Sequence, residues 1–421
     1  RTTIIALARS FARASKPLAI CGRGQGSTPG SLNECTAVHA LNALVGNINK
    51  KGGVFAVAEP DYINWPEVQM DVAAAAGMQK DRLDGAGSQK YPFSRYLLNR
   101  LPQALNSGEP YPLKALFVAN ANPLYTMPDS KAVKKAFDKV PFVVSFSSYM
   151  DETAHNADLI LPNHTYLERY EDIPTPAGMP KPIIGLSRPV VEPLYHTKHT
   201  GDVIILLAKA MGGNIADAFP WNNYDECLKQ TLGYKWQVMV EKGFWSYPDF
   251  FVQTHEGSFD TVSGKFEFAT KETGLLQEFK PVGIDGDKTD YPLLLMPYDS
   301  IRLANGVIGD PPFVMKSVDD TVLKGTDVFI EVNPKTAGEH GLREGQLAML
   351  STPVGNARVK VHLFDGIMPG IVALPRGLGH TAFDDYLAGK GINFNELIGP
   401  VEDSVSGLDA AWGIRVKLAK A

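Results

Sequence analysis

A chain of 421 residues, 44% hydrophobic and 21% charged, has the composition of a folded protein long enough for two or three domains. With 41 basic against 46 acidic residues the net charge is −5, which gives no basic face of the kind nucleic-acid binding requires. No apolar run approaches the roughly 20 residues that cross a bilayer, and the strongest, Val203 to Leu207, is soon interrupted by Lys209. The chain starts at Arg1 with no signal-peptide pattern, as a mature product or a portion of something longer would.

Helical spacing of Ile4, Ile5, Leu7, Ala8, Phe11 and Ala12 predicts a first helix, which Pro17 ends. Leu18 to Cys21 then reads as a short strand, followed by Gly22, Gly24, Gly26 and Gly30. Ser31 opens a second helix with Glu34 three residues on, a capping box, and Gly46 stops it. Residues 56–112 read as a long surface excursion with one helical stretch near Tyr96 to Leu105.

A strand–helix alternation follows. Ala115 to Ala119, Phe142 to Phe146 and Leu159 to Leu161 are expected strands, with a helix from Ser130 to Lys139 and a helical turn from Asp151 to Ala157. That alternation implies a doubly wound parallel sheet. Its ligand side is the carboxyl ends of the strands, at the loops Asn120–Pro123 and Ser145–Glu152. A further helix runs from Gly201 to Met211.

Residues 214–289 are aromatic-rich and read as an irregular connector. From Tyr291 short strands and glycine turns take over: Leu293–Met296, Val328–Val332, Leu347–Ser351, Arg358–Leu363 and Ile371–Leu374. They predict a compact β-barrel. The expected division is therefore an α/β domain over 1–213, a connector over 214–289 and a barrel domain over 290–421.

Individual motifs carry little chemistry. The turn Gly22-Arg-Gly24-Gln-Gly26 lacks the G-x-G-x-x-G spacing and the downstream acid of a dinucleotide fingerprint. Ala121-Asn122-Pro123 makes a fixed turn with a free amide. His196 and His199 lie three apart without a third ligand nearby, and read as two solvated histidines. Cys21, Cys35 and Cys227 form no C-x-x-C pair and read as small buried hydrophobes.

Taken together, five strings in order resemble the molybdopterin oxidoreductase family, also called the dimethyl sulfoxide reductase family. They are Asn42 to Ile48 with Gly52-Gly53, Phe117 to Pro123, Asp151 to Pro162 with Glu168, Val332-Asn333-Pro334 with Ala337, Gly341 and Gly345, and Gly366 to Gly370. The resemblance implies that the last domain is a double-psi β-barrel. It implies that the two domains grip a bis-molybdopterin guanine dinucleotide, with Asn122, Pro123, Ser147 and Asp158 toward a guanosine half and Arg302, Asn305, His380 and Asn393 toward the pterins. In the family a four-iron four-sulfur cluster and the protein ligand to molybdenum come from an N-terminal region without counterpart here, so this chain is expected to supply neither.

Gly379-His380, Gly389 to Asn393 and Ser406-Gly407 resemble the polysulfide and thiosulfate reductase branch. The string Tyr298 to Asn305 resembles the large subunits of alternative complex III and the menaquinone reductase complex, which keep the fold without molybdenum. That branch implies a periplasmic subunit, peripheral on the inner membrane. Its implied partners are an iron–sulfur subunit, a multiheme cytochrome c subunit and an integral membrane quinone-binding subunit.

Overall fold

The computed structural model describes residues 1–21, 32–55, 62–176, 179, 181–246, 259, 261–268, 283–300, 302–303, 315–411 and 413–421. The described residues form two compact units, each discontinuous in sequence. One gathers those of Arg1–Cys21, Cys35–Lys80 and Leu161–Gln277, the other those of Gly22–Glu34, Asp81–Ile160 and Glu278–Ala421.

In the first unit the expected helices form as α1 (Thr2–Arg13) and α2 (Leu32–Leu44), followed by α3 (Val72–Met78). The expected capping serine, Ser31, and the glycine turn before it lie outside the described residues. Leu18 to Cys21 joins no described sheet, contrary to the strand expected there. The Gly46–Gly53 string folds as a tight turn. Gly46 and Gly52 have φ of +66° and +90°, and a Cβ on Gly53 would lie 1.9 Å from the Asn47 carbonyl oxygen.

The stretch expected as an irregular connector begins as regular structure. After α8 (Thr200–Met211) come α9 (Gly213–Asp217), α10 (Tyr224–Leu232) and α11 (Tyr234–Lys242). Asn223 caps α10 by accepting the Glu226 N–H at 2.8 Å. Helices α10 and α11 pack on a three-stranded antiparallel sheet of β4 (Glu171–Ile173), β5 (Ile183–Ser187) and β6 (Phe244–Ser246). Ile184, Leu228, Leu232, Met239 and Trp245 make the core between them. Aromatic density hid this helical period from the sequence.

The second unit holds the parallel sheet, β1 (Leu116–Val118), β2 (Val143–Ser145) and β3 (Leu159–Ile160), in that order. Helices α5 (Pro123–Thr126) and α6 (Ser130–Phe137) connect β1 to β2, and α7 (Glu152–His155) connects β2 to β3. Asp129 caps α6 from a left-handed backbone conformation. Upstream, Ala86, Tyr91 and Leu97 make a small core of their own and Leu105 of α4 (Leu101–Ser107) packs into the core beside the parallel sheet, so residues 81–107 are not a surface excursion throughout.

The barrel is the larger part of this unit. Its strands are β7 (Leu293–Tyr298), β9 (Asp327–Val332), β10 (Leu347–Ser351), β11 (Asn356–Leu363), β12 (Ile371–Pro375) and β13 (Ile414–Lys420), with β8 (Leu323–Lys324) as a spur on β9 and α12 (Pro334–Glu339) after it. The five expected strands are all present, and β13 is additional. Pairing runs β11-β10-β13-β7-β12-β9, and β9 closes on β11. The pairs β7–β12 and β9–β11 are parallel and the others antiparallel, which is the double-psi arrangement expected. Leu293 and Leu295, Val359 and Val361, and Ile414, Val416 and Leu418 alternate into the core. A one-residue slip of any of these strands would turn its apolar set outward, so the alternation also fixes register.

Candidate functional site

The carboxyl ends of β1 and β2 converge with barrel loop 376–397 on one buried carboxylate, Glu152. Asn122 Nδ2 donates to Glu152 Oε2 at 2.7 Å, and His380 Nδ1 donates to Oε1 at 3.1 Å. The backbone N–H groups of Thr381 and Ala382 donate to the same oxygen at 2.8 and 3.3 Å. Burial pushes the Glu152 carboxyl up, but the hydrogen bonds from His380 and Asn122 outweigh it and hold the group at about 2. Glu152 is therefore ionised at neutral pH and fully engaged. It is neither a proton donor nor a free base.

The amide of Asn122 is spent on both ends. Its Oδ1 accepts from Thr153 N at 3.1 Å and Thr153 Oγ1 at 2.8 Å. Pro123 sits at the first turn of α5, where its missing N–H costs nothing. Ser147 Oγ donates to Asp151 Oδ2 at 2.7 Å, and Asp151 in turn caps α7 through the Ala154 N–H at 2.8 Å. Tyr125 stacks on His380 with ring centroids 3.8 Å apart and planes 16° off parallel, and Phe383 closes edge-on at 4.9 Å. The Tyr125 hydroxyl donates to the Leu378 carbonyl at 2.9 Å. Asn393 Nδ2 donates to the Tyr125 carbonyl at 3.0 Å, and its Oδ1 accepts the Asn395 N–H at 3.0 Å.

Four of the eight expected residues, Asn122, Pro123, His380 and Asn393, are thus brought together, and Ser147 joins them through Asp151. Asp158 is not among them. It lies at the opposite, amino end of the sheet, where its carboxylate accepts the Val143 N–H at 2.7 Å. Arg302 is in a half-exposed ion pair with Asp319 at 2.8 Å. Asn305 lies outside the described residues.

Glu152 and Tyr125 are the members that sequence reasoning missed. Glu152 was legible as the end of the expected ligand-side loop and as a letter of a family string, but not as a partner of His380, which is 228 residues away. His199, expected to be solvated, instead caps α8 by accepting the Gly201 N–H at 2.9 Å and stacks on Tyr224. His196 is exposed, as expected. Among the described residues no three histidines, cysteines or acids are placed to hold a metal. Cys227 is buried, and Cys21 and Cys35 are partly so.

The fold is that of a molybdopterin oxidoreductase. The family model "Molybdopterin oxidoreductase" matches residues 5–210 and that of the "Molydopterin dinucleotide binding domain" matches 314–411, and the chain belongs to this family. Among its relatives, the menaquinone reductase molybdopterin-binding-like subunit of Nitratidesulfovibrio vulgaris is 31% identical over 99% of this chain and 55% of its own length. The arsenate respiratory reductase molybdopterin-containing subunit of a Shewanella species is 25% identical over 99% of this chain and 59% of its own. The solved structure of acetylene hydratase from Pelobacter acetylenicus superposes with a TM-score of 0.72 at 21% identity, covering all of this chain and 63% of that one. The chain thus spans little more than half the length of the curated relatives it matches.

The family implies a molybdopterin dinucleotide, and the expected donor set tests the fit. The side chains of Asn122, Ser147 and Asn393 are committed to protein partners, Asp158 faces the other end of the sheet, and Arg302 is paired at the surface. Among the expected residues that are described, His380 has a buried ring nitrogen, Nε2, without a hydrogen-bond partner, but its ring is covered by Tyr125 and Phe383. As a set these side chains do not fit as holders of the dinucleotide. Their geometry is that of a latch joining the sheet's carboxyl end to the barrel.

Proposed function

We propose that this chain is part of the large subunit of a membrane-associated respiratory complex that passes electrons to quinone, of the menaquinone reductase type, and that it serves there as scaffold and docking surface. The observation that carries this reading is the latch: Asn122, Glu152 and His380 satisfy one another where a cofactor-holding set was expected. The 31% identity to a menaquinone reductase subunit supports it. In this reading residues 1–213 supply the family's α/β portion and 290–421 its barrel, with 214–289 between them. Electrons travel through clusters and hemes of an iron–sulfur subunit and a multiheme cytochrome c toward an integral membrane quinone-binding subunit. The chain sits in the periplasm, peripheral on the inner membrane through those partners. No helix among the described residues is long and apolar enough to cross a membrane.

A second reading is a catalytic molybdenum enzyme of the polysulfide or thiosulfate reductase kind using bis-molybdopterin guanine dinucleotide. The dinucleotide-binding family match over the barrel favours it. Elemental molybdenum, with pterin fluorescence after oxidation, measured on the intact native complex separates the two. The first reading expects neither, and near-stoichiometric molybdenum with pterin would replace it by the second.

A further inference from the structure

A cleft of about 440 Å³ opens in the second unit between the loop 81–90, α4 and the turn 107–110 that follows it. That turn leads to the amino end of β1, so the cleft stands apart from the latch at the carboxyl ends. Two carboxylates build its basic wall and are used up in doing so. Asp84, buried, accepts Arg82 Nε and Nη2 at 2.9 and 2.8 Å, and the N–H groups of Ala86 and Leu97 at 3.1 and 2.9 Å. Glu402 accepts from the buried Tyr91 hydroxyl and pairs with Lys90 Nζ at 3.4 Å and Arg100 Nε at 3.3 Å. Arg100 is thereby fixed. Its guanidinium lies over the Tyr91 ring, 5.3 Å from the centroid, and Nη1 rests on Gly85, where a Cβ would be 3.1 Å away. Yet neither terminal nitrogen of Arg100, nor Arg82 Nη1, has a hydrogen-bond partner among the described residues. A planar donor fork held rigid with its ends unused is a receptor for a carboxylate.

The charges around the fork narrow the ligand. Arg82 and Asp84 cancel. Lys90 and Arg100 share the one carboxylate of Glu402, which leaves a single positive charge for a single carboxylate. Asp81 and Glu109 line the same cleft, both exposed, and neither carboxylate is hydrogen-bonded among the described residues. They repel a dianion, such as a dicarboxylate or a phosphate ester, and attract an ammonium group. The cleft has the size of a small-molecule site, roughly 300–1,000 Å³. We propose that it binds a zwitterion of the amino-acid class, with the carboxylate on Arg100 and the ammonium toward Asp81 and Glu109. The inference is independent of whether the protein passes electrons to quinone or holds molybdenum.

The test is calorimetric titration of the intact native assembly with glycine, 4-aminobutyrate and 6-aminohexanoate, which set the two charges at different spacings, against hexanoate, succinate and inorganic phosphate. One of the amino acids is expected to bind about ten-fold or more tightly than any of the other three compounds. Arg100→Gln should weaken that binding by about ten-fold or more, and Arg100→Lys, which keeps the charge but not the fork, should not restore it. The double variant Asp81→Asn, Glu109→Gln alters only exposed side chains, so it keeps the test open even where Arg100→Gln fails to fold. In it the preferred amino acid should bind no more than about two-fold better than hexanoate. No binding of any of the amino acids, tighter binding of succinate or phosphate, an affinity that Arg100→Gln leaves unchanged, or a preference that the double variant leaves unchanged overturns the proposal.

Discussion

At the residue scale the latch makes Glu152 the most consequential side chain in the second unit. It is buried, ionised and bonded to four donors, so removing its charge weakens several charge-assisted bonds at once. Glu152→Gln should destabilise this unit by about 2–3 kcal/mol, read as a shift in urea midpoint. The pH dependence follows from the depressed carboxyl. Its contribution is complete above the usual carboxylate range near 4.5 and is lost as pH falls toward about 2. Midpoints of the native protein should therefore fall over that window more steeply than those of the Gln variant, and parallel slopes would refute the assignment. Asn122→Asp should be worse than Asn122→Ala, because it sets a second carboxylate against Glu152 where the amide now lies at 2.7 Å. Thermal melting of the two variants at neutral pH checks the order.

At the element scale the barrel depends on close backbone approach as much as on its apolar alternation. Gly379 has a φ of +77°, and a Cβ there would lie 2.0 Å from the Asn393 nitrogen and 2.1 Å from the Ile392 carbonyl carbon. Neither neighbour is a flexible tip that can swing away, so Gly379→Ala should cost about 4 kcal/mol or more and pull His380 off Glu152. Loss of soluble folded protein, or a large fall in melting temperature, is the expected outcome. Leu295, wholly buried in β7, offers the comparison: Leu295→Ala leaves a cavity but no backbone conflict and should cost about 2–5 kcal/mol with the latch intact.

For the whole molecule, the two units should respond to acid at different points. In the first unit burial, with Arg169 nearby, holds His199 down at about 4, against the opposing charges of Asp202 and Glu171. A histidine kept neutral in the fold stabilises fully above its ordinary value near 6.5, and that contribution is lost as pH falls toward about 4. The Glu152 window lies lower. Trp65, Trp221, Trp236 and Trp245 all belong to the first unit, leaving Trp412 as the fifth tryptophan. Tryptophan fluorescence should therefore change at higher pH than the far-ultraviolet signal of the barrel. His199→Asn keeps a capping side chain without the titration and should move the fluorescence transition to lower pH. Coincident transitions that the substitution leaves unmoved would rule this out.

The sequence by itself determined the barrel strands, the parallel strand–helix alternation and the family. Those signals are local: period-two alternation in Val359 and Val361, glycines at forced turns, and strings whose order survives. It missed the helices inside 214–289, because Tyr224 and Trp236 blur a helical period with aromatic density while packing against a sheet two of whose strands lie earlier in the chain. The family resemblance also set Asn122 and Asp158 toward a guanosine half and His380 toward the pterins. Only the tertiary structure decided that Asp158 closes the amino end of the sheet while Asn122 and His380 share a carboxylate at the other. A side chain's unused hydrogen-bonding capacity depends on what folding brings beside it, and the 228 residues separating Glu152 from His380 keep that partnership out of any local pattern.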